Sequence, residues 1–288
     1  IGVGIMGKSM VRNLMKAGFE LHIYARTKSK VEDVIGEGAQ FHESIKDCVQ
    51  DCDAVITIVG FPQDVEEVYF DQGNILDSAK KGAYLIDMTT TSPQIAEKIY
   101  EEGTKRGFHV MDAPVTGGDT GAKAGTLSIL VGGEKEDYEA CMPLFEAMGT
   151  NINYQGKAGC GQHCKLANQI MIAGTLSGVC EALTYAKEQG LDPEVFMKSV
   201  ATGAAGSKQL DTFGPKILKD DYAPGFFMKH FIKDMKLALI EANRKGLSLD
   251  VLSMVLANYE ELEQEGYGDL GTQALMKFYD EEHRNTEE

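Results

Sequence analysis

Up to about residue 156, short β-rich apolar runs alternate with amphipathic stretches of helical period. The runs at 21–24, 54–59, 84–88, 109–113 and 127–131 read as strands. The stretches at 29–35, 63–70, 93–105 and 136–148 read as helices between them. Strands and helices taking turns, with nearly continuous apolar strands, predict a parallel sheet covered on both faces. One helix start is well marked, with Ser92 as N-cap and Pro93 at the first helical position. After Gly161 the strand signal disappears. Helical patterns run over 162–189, unusually long for a globular helix, and then over 193–201, 207–218, 229–245 and 248–264. Ile232, Met235, Leu239 and Ala242 recur at i, i+3, i+7 and i+10, which predicts one buried face. The acidic tail from Asp280 is expected to fray.

Gly2, Gly4 and Gly7 spell GxGxxG, and a helix through residues 10–16 follows. In such a loop the first glycine permits the tight turn and the second lets backbone approach a pyrophosphate. The third allows close helix–strand packing, and unpaired N–H groups at the helix start bind the anion. Gly18 ends the helix and the strand at 21–24 comes at the right distance, so the pattern is a Rossmann-type dinucleotide-binding domain. The strand that should precede the loop is mostly missing, because the chain opens at Ile1 without a methionine; its natural start is expected further upstream. An NAD site carries a carboxylate at the end of the second strand, to accept hydrogen bonds from the ribose. Here that place holds Ala25, Arg26, Thr27 and Lys28, with Lys30 close behind. Guanidinium, hydroxyl and ammonium groups suit a 2′-phosphate, so NADP(H) is favoured over NAD(H). The architecture expected is therefore α/β: a dinucleotide-binding domain over 1–157, its first strand truncated, followed by an all-α domain over 158–288 led by a long interdomain helix.

Composition narrows the partners. With 28 Lys+Arg against 44 Asp+Glu the formal net charge is −16, which repels phosphate backbones and anionic lipid. Nucleic-acid and membrane partners are disfavoured, and no apolar run reaches the ~20 residues needed to span a bilayer. Six cysteines contain no CxxC pair and read as reduced thiols of a cytoplasmic protein. Cys160, His163 and Cys164 lack a second pair to complete a four-ligand set, so no metal is expected.

Three further segments carry chemistry: Asp112-Ala113-Pro114-Val115-Thr116-Gly117-Gly118, the run from Gly159 to Gln169 around Lys165, and Lys233-Asp234. With the glycine loop and Asp87-Met88-Thr89-Thr90 they resemble the β-hydroxyacid dehydrogenase family, over essentially the whole chain. That family includes 3-hydroxyisobutyrate dehydrogenase, tartronate semialdehyde reductase and the glyoxylate/succinic semialdehyde reductases. The resemblance implies that Lys165 is the catalytic lysine and that Thr116, Gly117 and Gly118 grip a substrate carboxylate. The glycine loop and the end of the second strand give cofactor contacts from Gly2, Gly4, Ile5, Met6, Gly7, Arg26, Thr27 and Lys30; the resemblance adds Thr90 and Lys233 near the nicotinamide end, and Phe61 and Pro62 in a loop crossing the cofactor. Phe226 and Asp234 would close the pocket from the helical domain. Two departures stand out: the family's usual serine is Thr116, and the asparagine four residues after the lysine is Gln169, with Asn168 retained before it. Which amide orients the substrate is left open at this point.

The residues themselves suit such a reaction. Hydride reduction of an aldehyde leaves negative charge on oxygen, which an ammonium can stabilise and protonate. On a helix, Lys165 shares a face with Asn168 and Gln169 at i+3 and i+4, so an amide can hold the substrate beside it. His163, two residues earlier, points elsewhere around the helix. The expected function is NADPH-dependent, reversible reduction of a small carboxylate-bearing aldehyde to a β-hydroxyacid, with Lys165 as general acid/base. The alternatives are a non-catalytic NADP-binding scaffold and an imine-reductase-like relative, and the lysine argues against both. Family members assemble through the helical domain, and small residues on the long helix (Ala173, Gly174, Ser177, Gly178, Ala182) permit close approach, so a homodimer or homotetramer is expected.

Overall fold

The computed structural model describes residues 1–279, and the acidic tail expected to fray lies outside them. The chain divides into two compact units, Ile1–Lys165 and Leu166–Glu288.

In the first unit the order is α1 (Ile5–Lys16), β1 (His22–Ile23), α2 (Glu32–Gly36), β2 (Gln40–Phe41), α3 (Ile45–Val49), β3 (Ala54–Thr57), α4 (Pro62–Phe70) and α5 (Ile75–Ser78). It continues with β4 (Tyr84–Asp87), α6 (Pro93–Lys105), β5 (His109–Asp112), β6 (Val115–Thr116), α7 (Gly118–Ala124), β7 (Leu127–Gly133), α8 (Lys135–Ala140), α9 (Met142–Met148) and β8 (Gly149–Gly156). The main sheet runs β3-β4-β5-β7-β6, with β8 beside β7. β3, β4 and β5 are parallel, as their apolar runs predict, and Thr57, Asp87 and Asp112 line up in register at their carboxyl ends. The all-parallel expectation needs correction further along, because β7 is antiparallel to both β5 and β6. β5 and β6 pair with β7 in one continuous register, and residues 117–126, which return the chain from β6 to β7, are too few for the crossover that a parallel neighbour requires.

β1 and β2 form a separate two-stranded parallel ribbon. Between Ile23 on that ribbon and Val55 on β3 lies a cleft of about 490 Å³, lined also by Leu14, Val49 and Leu144. Ile1 runs beside β3: its amine donates to the Ile56 carbonyl at 2.9 Å and its carbonyl accepts from Ile58 N at 3.1 Å. The α6 start is as the sequence predicts, with Ser92 Oγ accepting from Gln94 N and Pro93 opening the helix. The helix expected over 136–148 is instead two, α8 and α9, which meet at Cys141, just before Pro143. A proline ring clashes with the carbonyl four residues before it and offers no N–H to a continuous ladder.

The second unit follows from α10 (Cys160–Glu188), whose first turns belong to the first unit. α11 (Pro193–Val200), α12 (Lys208–Ile217), α13 (Met228–Arg244) and α14 (Asp250–Gln264) complete it, with two 3₁₀ segments at Tyr267–Asp269 and Thr272–Tyr279. Asp192 and Ser207 cap α11 and α12 with side-chain oxygens. The core joins Leu176, Leu183, Phe231, Met235, Val255 and Tyr259. On α13, Ile232, Met235 and Ala242 are buried as predicted, while Leu239 is half-buried and Ala238 takes its place inside. α10 corrects another expectation. Its 29 residues contain an 18-residue window of mean hydropathy 1.2, so by length and composition alone it could span a bilayer. It is a core helix of the fold nonetheless, contributing Leu176, Cys180 and Leu183 to the packing above.

Candidate active site

The glycine loop has the shape a dinucleotide requires. Gly2 takes φ +86°, and a Cβ there would stand 2.2 Å from the Ile58 carbonyl oxygen; a Cβ on Gly7 would stand 2.3 Å from the Gly2 oxygen. Those two glycines let α1 pack on the sheet. Gly4 differs, since a Cβ there meets nothing within 4 Å. Gly4 is the N-cap of α1 and no side chain caps the helix, so its first N–H groups remain for a ligand. Gly4 and Ile5 are exposed, Gly2 and Met6 half-buried and Gly7 buried, which makes an open shelf at the helix start. A pyrophosphate fits this cradle, and space at Gly4 serves nothing within the protein. Gly4→Ala is therefore expected to weaken NADPH binding several-fold while changing stability by less than about 1 kcal/mol. Fluorescence titration beside urea unfolding checks it, and loss of stability without loss of binding would refute it.

Arg26, Thr27, Lys28 and Lys30 are all exposed after β1. Arg26 pairs with Asp64 at 3.1 Å and Lys28 with Glu43 at 3.5 Å. The Asp64 carboxylate also accepts from Phe61 N at 3.0 Å, opening α4, and thereby links Arg26 to the Phe61-Pro62 loop. Phe61 is exposed and Pro62 half-buried. Thr116 is half-buried at the end of β6, and Gly117 and Gly118 take φ +131° and +64°, conformations that favour glycine. Both glycines are exposed, so their backbone is open to a ligand.

Lys165 is only 7% exposed, unusual for a residue whose ordinary place is in solvent. The start of its helix is fastened to the sheet by side chains from far along the chain. Asp112, at the end of β5, accepts from Gly159 N with one carboxylate oxygen and from Gln162 N with the other, both at 2.8 Å. Gln162, fully buried, donates Nε2 to the Thr89 carbonyl at 2.8 Å and accepts from Thr91 N at 3.0 Å. Thr90, between them, is half-buried. The close approach depends on glycines flanking Asp112. A Cβ on Gly161 would lie 2.4 Å from the Leu130 oxygen, and one on Gly132 2.5 Å from Asp112 Oδ1. Burial raises the Asp112 pKa, opposed by the two backbone N–H bonds. His163 is exposed and Cys160 and Cys164 are half-buried; no group of three or more possible metal ligands occurs among the described residues.

Asp87, beside Asp112 in register, is the second buried carboxyl. Its Oδ1 accepts from Thr57 Oγ1 at 2.8 Å and Thr89 N at 3.1 Å, and Oδ2 has no hydrogen-bond partner among the described residues. Burial pushes its pKa up to about 6. A carboxyl raised in the folded state stabilises the protein below its unfolded pKa, and that contribution is lost as pH rises through about 6. Asp87→Asn keeps an acceptor without the charge. The variant is expected to gain up to roughly 3 kcal/mol over the parent at pH 7.5, with no gain at pH 4. Urea midpoints across that range measure the difference; a pH-independent one would contradict this account.

In the helical unit, Gln169 is buried, and its amide is engaged through both ends: Nε2 donates to Asp234 Oδ2 at 2.7 Å and Oε1 accepts from Asn168 Nδ2 at 2.8 Å. Lys233 Nζ stands 3.0 Å from the other Asp234 oxygen, and Asp234 is 0% exposed. Phe226 is half-buried, stacked on His230 with centroids 6.4 Å apart. Sequence reasoning missed Asp112, Gln162 and Asp87 as site residues. All three lie inside motifs it singled out, but their long-range partners are 30 to 73 residues away.

Residues 1–156 match the family described as the NAD binding domain of 6-phosphogluconate dehydrogenase. Residues 159–279 match the one described as NAD-binding of NADP-dependent 3-hydroxyisobutyrate dehydrogenase. The chain is 49% identical to an uncharacterized oxidoreductase of Bacillus subtilis, over 97% of each chain. It is 44% identical to the probable 3-hydroxyisobutyrate dehydrogenase-like 1, mitochondrial, of Arabidopsis thaliana, over 96% of this chain and 83% of that one. Among solved structures, a Mycobacterium tuberculosis 3-hydroxyisobutyrate dehydrogenase with L-serine superposes with a TM-score of 0.87 at 26% identity, covering 96% of each chain. Glycine cradle, buried lysine and matches to both halves agree: the chain belongs to the β-hydroxyacid dehydrogenase family of NAD(P)-dependent oxidoreductases.

Proposed function

We propose that this protein reduces a small aldehyde bearing a carboxylate to the corresponding β-hydroxyacid with NADPH, reversibly, and that Lys165 is the general acid/base. The observation that carries the assignment is the burial of Lys165, at 7% exposure, on a helix start fastened to the sheet. NADPH, when bound, supplies the hydride to the carbonyl carbon. The Lys165 ammonium stabilises negative charge growing on the carbonyl oxygen and delivers the proton to it; in the oxidative direction its neutral amine takes the hydroxyl proton. Thr116, with the exposed amides of Gly117 and Gly118, holds the substrate carboxylate. Of the two amides after the lysine, half-buried Asn168 is favoured over fully buried Gln169 for the substrate. Asp234 then acts on Gln169 and Lys233 rather than on substrate.

The preference for NADPH is supported by Arg26, Thr27, Lys28 and Lys30, which are exposed with no carboxylate among them. Arg26 itself stays largely exposed in its pair with half-buried Asp64, and such surface ion pairs contribute little. A homo-oligomer is proposed from the apolar side chains that α10 and α14 leave in solvent, Met171 at 74% and Val251 at 59% exposure; light scattering tests it. The activity is tested by NADPH absorbance with glyoxylate, succinic semialdehyde, tartronate semialdehyde and methylmalonate semialdehyde. Turnover of at least one, with a lower KM for NADPH than for NADH, is expected. Tight NADPH binding with no turnover on the panel would leave the non-catalytic scaffold.

A further inference from the structure

Gln162 sits three residues before Lys165, so the two share a face of α10 with their Cβ atoms about 5–6 Å apart. Its side chain behaves like a peptide group inserted into a ladder, giving one hydrogen bond to the Thr89 carbonyl and taking one from Thr91 N. Both partners are backbone atoms, so the contact fixes position along and around the helix rather than simply neutralising charge. The segment it grips is itself immobilised. Asp87 Oδ1 holds Thr89 N, and Thr89 Oγ1 accepts from Val59 N at 3.0 Å, tying the segment to the strand ends next to the glycine loop. Asp112 restrains the same helix start against sliding, through Gly159 N and Gln162 N. The Asp112 bonds act on backbone N–H groups at the helix start, and the bidentate Gln162 side chain, one turn before the lysine, adds a hold on a different segment that fixes the facing of this turn.

We propose that Gln162 is a positioning residue: its amide locks the rotational phase of α10 to the Thr89–Thr91 segment and so holds the Lys165 ammonium where the carbonyl oxygen is protonated. The proposal rests on the acid/base assignment of Lys165 made above. It explains why a glutamine, with both a donor and an acceptor, occupies a fully buried position beside the lysine.

The test uses Gln162→Met, which keeps the volume and loses both hydrogen bonds, and Gln162→Asn, which keeps the amide one methylene short. Three readouts are taken. Hydrogen exchange of the Thr91 amide and labelling of Lys165 by trinitrobenzenesulfonate, read by mass spectrometry, report on the lock without any turnover. Both are expected to accelerate at least ~10-fold in each variant, as an opened buried hydrogen bond would. With the aldehyde that gives turnover, kcat is expected to fall roughly 10- to 100-fold, as for a reacting group displaced by about 1 Å. The Kd for NADPH is expected to stay within about threefold, because the glycine cradle is untouched. Parent-like exchange at Thr91 and parent-like labelling of Lys165 would overturn the proposal, and so would unchanged kcat in variants whose lysine labels fast. A parallel loss of NADPH affinity and kcat would also overturn it, since that marks general damage to the fold. If the parent protein itself turns over no aldehyde, the acid/base assignment fails, while exchange and labelling still decide whether Gln162 holds the helix.

Discussion

Replacing Lys165 by alanine is expected to lower kcat at least ~10²-fold while the Kd for NADPH changes by less than about threefold. The argument starts from burial. An ammonium gives up much of its hydration when it enters a protein interior, which is costly even where other groups partner it. A lysine that is 7% exposed has therefore been kept for a reason other than solubility. It sits on the second turn of α10, and its approach to the sheet depends on glycines at 132 and 161 that leave no room for a Cβ. In the reaction proposed here, charge develops on oxygen only as the hydride arrives, so a fixed cation acts more strongly on the transition state than on bound aldehyde. Removing it should lower kcat and kcat/KM together. Lys165→Met, similar in length and uncharged, separates charge from packing and is expected to be as slow as the alanine variant. Near-normal turnover by either variant would take Lys165 out of the chemistry.

The second large effect is on folding. Asp112→Ala is expected to destabilise the protein by roughly 2–5 kcal/mol, through two buried N–H groups left without an acceptor. Asp112 is 3% exposed and its two oxygens each accept one N–H at the start of α10. Such bonds are charge-assisted, and the positive end of a long helix dipole favours the carboxylate further. Burial opposes them, which is why the Asp112 pKa is raised overall. Asp112→Asn retains an acceptor for one N–H but turns an amide donor toward the other, and should fall between alanine and the parent. Urea unfolding measures both. A loss below about 1 kcal/mol for the alanine variant would mean that water substitutes for the carboxylate, and the fastening of α10 would have to be sought elsewhere.

Where the chain carries strong periodicity, its sequence predicted the structure well. The parallel strands β3, β4 and β5 are apolar on both faces, and α13 carries a continuous apolar stripe. β8 was missed for a physical reason: Gly149–Gly156 reads TNINYQG after its first residue, mostly exposed, and pairs with β7 alone. An edge strand with one neighbour needs little apolar surface, so it leaves little signal. β2 and β6 are two residues each, too short to register as a pattern. α3 and α5, five and four residues long, were missed likewise. For the site, the order of motifs pointed to Lys165, the glycine loop and Thr116 before any coordinates. What no motif could show was burial and partnership. Gln162 meets Thr89 and Thr91 more than 70 residues away, and Gln169 meets Asp234 65 residues further on, pairings that no local spacing announces. Long-range pairing of polar side chains has no local period, so it is the part of a site that a single sequence conceals most.

The central claim, that a buried lysine protonates the oxygen of the carbonyl that NADPH reduces, is tested most directly by a crystal structure with NADP⁺ and the hydroxyacid product of the aldehyde turned over fastest. Lys165 Nζ is predicted within about 2.6–3.2 Å of the product hydroxyl. A hydroxyl held instead by another donor, with the Lys165 ammonium farther than about 5 Å from it, would contradict the account.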